Sequence, residues 1–189
     1  MTINNQSKKS KKILFVCPYP ENVAAGQRLK FEPHFKRLEE SGYEITVHNF
    51  MTIKLWNIIS KEGYTAQKIL GTLLGLFKRF QLLFSIRKYD CVYIFMNVFP
   101  FGPPLLESLY VWFSKKVIFD IEDNMLSPEQ GSVNWLASSL KSKTKTKFLI
   151  KNAGYVIASS PDLANQCNDI SGKNNAKFIP PTLDEKRFF

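Results

Sequence analysis

Short, nearly uninterrupted apolar runs alternate along the chain with longer stretches of helical periodicity. The first run, residues 12–17 (KILFVC), is closed by Pro18 and Pro20 and predicts a strand buried on both faces. A helix then begins near Gly26 and carries Leu29, Phe31, Phe35 and Leu38. Pro33 inside it predicts a kink or a later start. Ser41-Gly42 stops this helix, with Gly42 in the left-handed C′ conformation, and residues 44–50 (EITVHNF) form a second strand. Strand, helix, glycine and strand within about 40 residues make a βαβ unit, which demands a right-handed crossover and parallel pairing.

The alternation continues. Residues 90–95, 116–121, 155–158 and 176–179 are strand-like, and residues 138–151 read as a helix. Ser160-Pro161-Asp162 starts another helix, with Ser at the N-cap and Pro at the first helical position. These elements predict an α/β fold: a single Rossmann-like, doubly wound, mostly parallel sheet of about six strands. The domain spans 12–180. Residues 1–11 are polar and basic and lack the apolar core of a signal peptide, so a disordered lead-in is expected there.

Residues 68–88 carry more than a crossover helix needs. At 100° per residue, Ile69, Leu70, Leu73, Leu74, Leu76, Phe77, Phe80, Leu83 and Phe84 fall within an arc of roughly 180°. Lys68, Lys78 and Arg79 gather on the other side, interleaved with Leu82 and Ile86. Two readings fit. Either the helix lies on an anionic bilayer, with Lys68, Lys78 and Arg79 as membrane contacts, or it is wedged between the sheet and a neighbouring domain with ordinary solvated lysines. Charges interrupt this segment, and prolines interrupt 98–113, so neither supplies the roughly 20 apolar residues of a spanning helix.

Composition narrows the partners. The 189 residues carry 26 Lys and Arg against 16 Asp and Glu, a formal charge of +10, which suits a phosphorylated ligand, an acidic lipid surface or nucleic acid. Lys141, Lys143, Lys145, Lys147 and Lys151 alternate, and so spread around their helix as a solvated surface instead of forming a nucleic-acid-binding stripe. No nucleic-acid partner is expected. Cys17, Cys91 and Cys167 form no CxxC and have neither His34 nor His48 beside them, which argues for reduced thiols, a cytoplasmic location and no zinc site.

In open α/β sheets, ligands bind beyond the carboxyl ends of the strands. Three loops fall there. The first, 18–28, contains Gly26, Gln27 and Arg28. Gly26 at a helix start lets backbone N–H groups approach an anion, or merely frees the turn; Arg28 offers a bidentate phosphate contact, or is a surface cation. No dinucleotide or P-loop glycine signature is present. The second loop groups Asp120, Glu122 and Asp123, which can orient a sugar hydroxyl, accept its proton or hold a metal, or else cap a turn. Asp120 interrupts an apolar strand and is the least decorative of the three. The third loop holds Ser159 and Ser160 as substrate-contact candidates, Ser160 reading more readily as an N-cap.

Several stretches resemble one family. Residues 12–18 (KILFVCP), 26–28 (GQR) and 38–47 (LEESGYEITV) are similar to the opening of the GT-B glycosyltransferases of the retaining, family-4-like group. Residues 153–160 (AGYVIASS) and 178–184 (FIPPTLD), with Phe188, resemble the close of that group's N-terminal domain. Two departures stand out: Pro181-Thr182 replaces Asn-Gly, and the fourth strand ends in Asp-Ile-Glu-Asp where many relatives offer a histidine. The resemblance implies the acceptor-binding half of an enzyme that moves a sugar from a nucleotide-sugar to a lipid-linked or polysaccharide acceptor in cell-surface glycan synthesis. It places Gly26 by the donor diphosphate, Arg28 near the phosphate or acceptor, and Asp120, Glu122 and Asp123 beside the acceptor hydroxyl. It implies no metal, and no cofactor beyond the nucleotide-sugar co-substrate. Residues 181–189 become the start of an interdomain linker. The nucleotide-sugar would then bind a C-terminal domain or partner subunit, and the chain alone would have little activity, located in the cytoplasm or peripherally on the inner membrane face. The alternative is a non-catalytic module of the same fold that docks a membrane or a partner.

Overall fold

The computed structural model describes residues 10–122, 126 and 143–182. Six strands form one sheet: β1 (Lys11–Cys17), β2 (Tyr43–Asn49), β3 (Cys91–Phe95), β4 (Val117–Ile121), β5 (Tyr155–Ala158) and β6 (Ala176–Phe178). Their order is β2-β1-β3-β4-β5-β6, and every pairing is parallel. This is the doubly wound, Rossmann-like arrangement that the alternating pattern predicts, with the strand order reversing beside β1.

Right-handed crossovers assign the helices to faces. The step from β1 to β2 runs one way and places α1 (Ala25–Lys30) and α2 (Phe35–Glu40) on the first face. The remaining steps run the other way. They place α4 (Thr65–Leu83), α5 (Leu105–Phe113), α6 (Lys143–Asn152) and α7 (Pro161–Ser171) on the second face, with the short α3 (Ile53–Ile59) leading into α4. Alternate strand residues serve alternate faces. Leu14, Val16, Ile94, Phe119 and Ile121 are buried towards the second face. On the first face Phe15 packs within 5.4 Å, ring to ring, of Phe31, Phe35 and Tyr93.

Local signals explain most boundaries. Pro33 sits in a 3-10 turn (Glu32–His34) that splits the expected single helix into α1 and α2. Ser160 accepts a hydrogen bond from the Leu163 amide at 3.2 Å, Pro161 opens α7, and Gly172 closes it at φ 65°. Past β6 the chain crosses back over α1, where the Thr182 amide donates to the Leu29 carbonyl at 2.7 Å.

The helix α4 faces the opposite way from a core helix. Its buried positions are Gly75, Arg79 and Leu82, while Ile69, Leu70, Leu73, Leu74, Phe77, Phe80 and Phe84 are each 46% to 92% exposed. Glycines let this narrow side seat closely. A Cβ on Gly75 would lie 2.6 Å from Cε2 of Phe50, and one on Gly71 would lie 3.0 Å from Cδ1 of Leu55. Among the described residues no helix is long and apolar enough to cross a membrane.

Two cations expected at the surface are buried instead. Arg79 is fully inaccessible, which removes it as a membrane contact. Its Nη2 donates to the Cys17 carbonyl at 2.7 Å, its Nη1 to the His48 carbonyl at 2.9 Å and its Nε to the Val98 carbonyl at 3.1 Å. A guanidinium carries five donors in a fixed fork, and here it ties together β1, β2 and the loop after β3. Lys145 is likewise buried and not part of a solvated helix face. Lys143, Lys147 and Lys151 are exposed as expected, and Lys141 lies outside the described residues.

Candidate functional site

The carboxyl ends of β1, β3, β4 and β5 bring two of the three expected loops into contact and set the third beside them. The loop after β1 is held from within. Gln27, fully buried, accepts from the Tyr19 amide and donates to the Tyr19 carbonyl, both at 3.1 Å, and also reaches Glu32 at 3.2 Å. Glu32 in turn accepts from the amide of Asn22, whose φ is 65°. The Gln27 amide is thus committed to shaping the loop, which corrects its reading as a substrate contact. Arg28 is half-buried on the first turns of α1, and among the described residues its guanidinium makes no hydrogen bond or ion pair.

Gly26 has a specific reason to be glycine. A Cβ there would collide with Oε1 of Glu122 and come within 3.3 Å of Cζ of Phe95. The Glu122 carboxylate therefore lies against the start of α1, at the place that the sequence assigns to an anion. Glu122 is half-buried, and its negative charge adds to the effect of burial in pushing the Tyr19 hydroxyl up to about 12. By strand register Ala158 pairs with Ile121, so Ser159 follows at the level of Glu122. Ser160 is the N-cap of α7. Asp123 lies outside the described residues.

Asp120 is buried below this edge. One carboxylate oxygen pairs with the Lys30 ammonium and the other accepts from the Tyr93 hydroxyl. Lys30 also donates to the Ile121 carbonyl at 3.2 Å. Burial raises the carboxyl of Asp120, and Lys30 opposes that shift. The Tyr93 hydroxyl is pushed well above its ordinary value, first by burial and then by the Asp120 charge. These three side chains line a cavity of about 300 Å³ on the first face, together with Phe31, Ile118 and Ile157. Asp120 is the charged floor of that cavity, and Glu122 is the carboxylate presented at the rim.

The loop after β3 is fixed by charges that the sequence does not reveal. Met96 has φ 65°, and the Asn97 amide donates back to the Phe95 carbonyl at 2.8 Å, a tight turn under strain. Oε1 of the buried Glu107 accepts from the amides of Val98 and Phe99 at 3.3 and 3.2 Å. Lys145 Nζ donates to the carbonyls of Phe99 and Phe101 at 2.5 Å and stands 3.5 Å from Glu107. With Arg79 on the Val98 carbonyl, this turn is held from three sides. The signal for this in the sequence is Glu107, the lone charged residue of the largely apolar α5.

Among the described residues no three His, Cys, Asp or Glu side chains are placed to hold a metal ion. The arrangement can orient a hydroxyl at Glu122 and offer Arg28 to an anion, over a rigid rim. No protein-family model matches the chain, and no curated protein matches it.

Proposed function

We propose that this lobe binds the acceptor for glycosyl transfer: a second lobe presents a nucleotide-sugar, and the acceptor hydroxyl rests at the carboxyl edge of the sheet. The observation that carries the reading is the Glu122 carboxylate, seated against Gly26 at the rim of an all-parallel sheet. A carboxylate held at such an edge accepts the hydroxyl proton in a hydrogen bond and aims its oxygen at the incoming sugar. Glu122 takes the acceptor contact, and Asp120 holds Lys30 and Tyr93 in place beneath it. Arg28, which makes no ion pair among the described residues, is the cation assigned to the departing diphosphate.

The test is transfer from a panel of nucleotide-sugars to glycan and lipid-linked acceptors, with a donor-binding lobe supplied. Glu122→Gln should lower kcat/KM by about 100-fold with the melting temperature unchanged. Gly26→Ala should approach the same loss, because its methyl group displaces the flexible end of Glu122 without breaking the fold. Full transfer by Glu122→Gln would remove the assignment. A docking module without catalysis is the second reading, and the solvent-facing apolar side of α4 is the observation that favours it.

A further inference from the structure

The geometry points to the outward side of α4 as a docking surface for an anionic bilayer, with its phenylalanines and leucines entering the headgroup–acyl boundary. Seven large apolar side chains, Ile69 through Phe84, leave on the order of 700 Å² of contiguous apolar surface in water, against about 300–600 Å² for the largest patch of an ordinary monomer. Six of them occupy one side of a 19-residue helix, about 28 Å long, and Phe84 follows as its C-cap, which suits a helix lying flat in an interface. The next helix on the same side of the sheet, α5, adds Leu105 and Trp112, exposed by 69% and 78%.

Charge chooses the occupant. Between Ile53 and Lys88 the accessible cations are Lys54, Lys61, Lys68, Lys78, Arg87 and Lys88, against Glu62 as the single acid. Anionic headgroups neutralise such a cationic segment, and Lys68 lies beside Ile69 and Leu73 at one end of the surface, each nearby cation contributing to attachment. A second copy of the chain on the same surface would bring two such cationic segments together across a two-fold axis, which disfavours self-association. A cavity of about 360 Å³ between α3, α4 and Phe101 shares Ile69 and Leu73 with this surface and gives a lipid tail an apolar recess. This surface is separate from the Glu122 edge, so the inference does not depend on glycosyl transfer.

Sedimentation of the whole chain with vesicles tests it. Binding to phosphatidylcholine containing about 30% phosphatidylglycerol should exceed binding to phosphatidylcholine alone by at least about 10-fold and weaken in high salt. Phe77→Ser/Phe80→Ser/Phe84→Ser alters only exposed side chains. It should keep the wild-type melting temperature, lose about 10-fold or more in binding, and abolish any lipid-induced blue shift of tryptophan emission that a Trp112→Phe variant also removes. Lys78→Glu/Lys88→Glu should lose the preference for the anionic lipid. No binding to the anionic vesicles, equal binding to both lipids, or an undiminished triple-serine variant would overturn the inference. So would a stable dimer in solution that the triple-serine variant dissolves.

Discussion

Buried charges decide what individual residues do at this site. Asp120 is visible in the sequence because it breaks an apolar strand, but its partner Lys30 lies 90 residues away and nothing local announces it. The pair is 6% and 0% exposed at the side chains, so removing one member strands a charge in the core. Asp120→Asn should therefore destabilise the fold by about 3–5 kcal/mol in urea unfolding, and Lys30→Met/Asp120→Leu should recover most of that loss. Arg79 was equally hidden. It sits between Lys78 and Phe80 like any surface cation, and only the convergence of the ends of β1 and β2 with the loop after β3 gives it carbonyls to bind. That convergence also sets the proton on His48. A guanidinium can only donate, so Nδ1 of His48, 2.9 Å from Arg79, must be the lone-pair nitrogen. Burial, then the Arg79 charge, lowers His48 to about 4 from 6.5. The folded state thus binds this proton more weakly than the unfolded chain does. The stability contributed is complete above about pH 6.5 and is lost as pH falls through 4. Denaturant midpoints of wild type should decline over that window more steeply than those of His48→Asn, whose side chain does not titrate.

At the scale of elements, the described strands were legible as short apolar or alternating stretches, and the stop at Gly42 and the start at Ser160 followed from cap chemistry. The orientation of α4 was not. The periodicity gave the width of its apolar arc correctly, yet the side that meets the protein is the opposite one, marked by Gly71, Gly75 and Arg79. A rule that places the apolar side inward fails where small residues allow close approach and a buried cation supplies the hydrogen bonds. Gly75→Ala should expose this directly. The added methyl group would press into the Phe50 ring at 2.6 Å and cost about 1–3 kcal/mol in thermal unfolding, although alanine is the better helix former. Gly63 differs in kind: nothing lies within 4 Å of a Cβ there, and its obstacle to alanine is instead the left-handed φ of 75°.

Across the whole molecule, strand order and crossover hand together carry the site. The reversal of direction beside β1 brings the start of α1 to the end of β4, and so sets Gly26 against Glu122 across nearly one hundred residues of chain. The sequence marks the loops that meet there but not which carboxylate reaches the rim, because burial depth along β4 depends on neighbours that the strand's own residues do not specify. It is this edge that the functional reading stands on. Amide chemical-shift mapping by NMR, with candidate acceptor glycans and separately with nucleotide-sugars, probes it most directly. Acceptor glycans should shift Gly26, Glu122 and Ser159 in a dose-dependent way, while nucleotide-sugars alone shift them weakly. Glycan-induced shifts confined to other surfaces, with those three amides unmoved at saturation, would contradict the account.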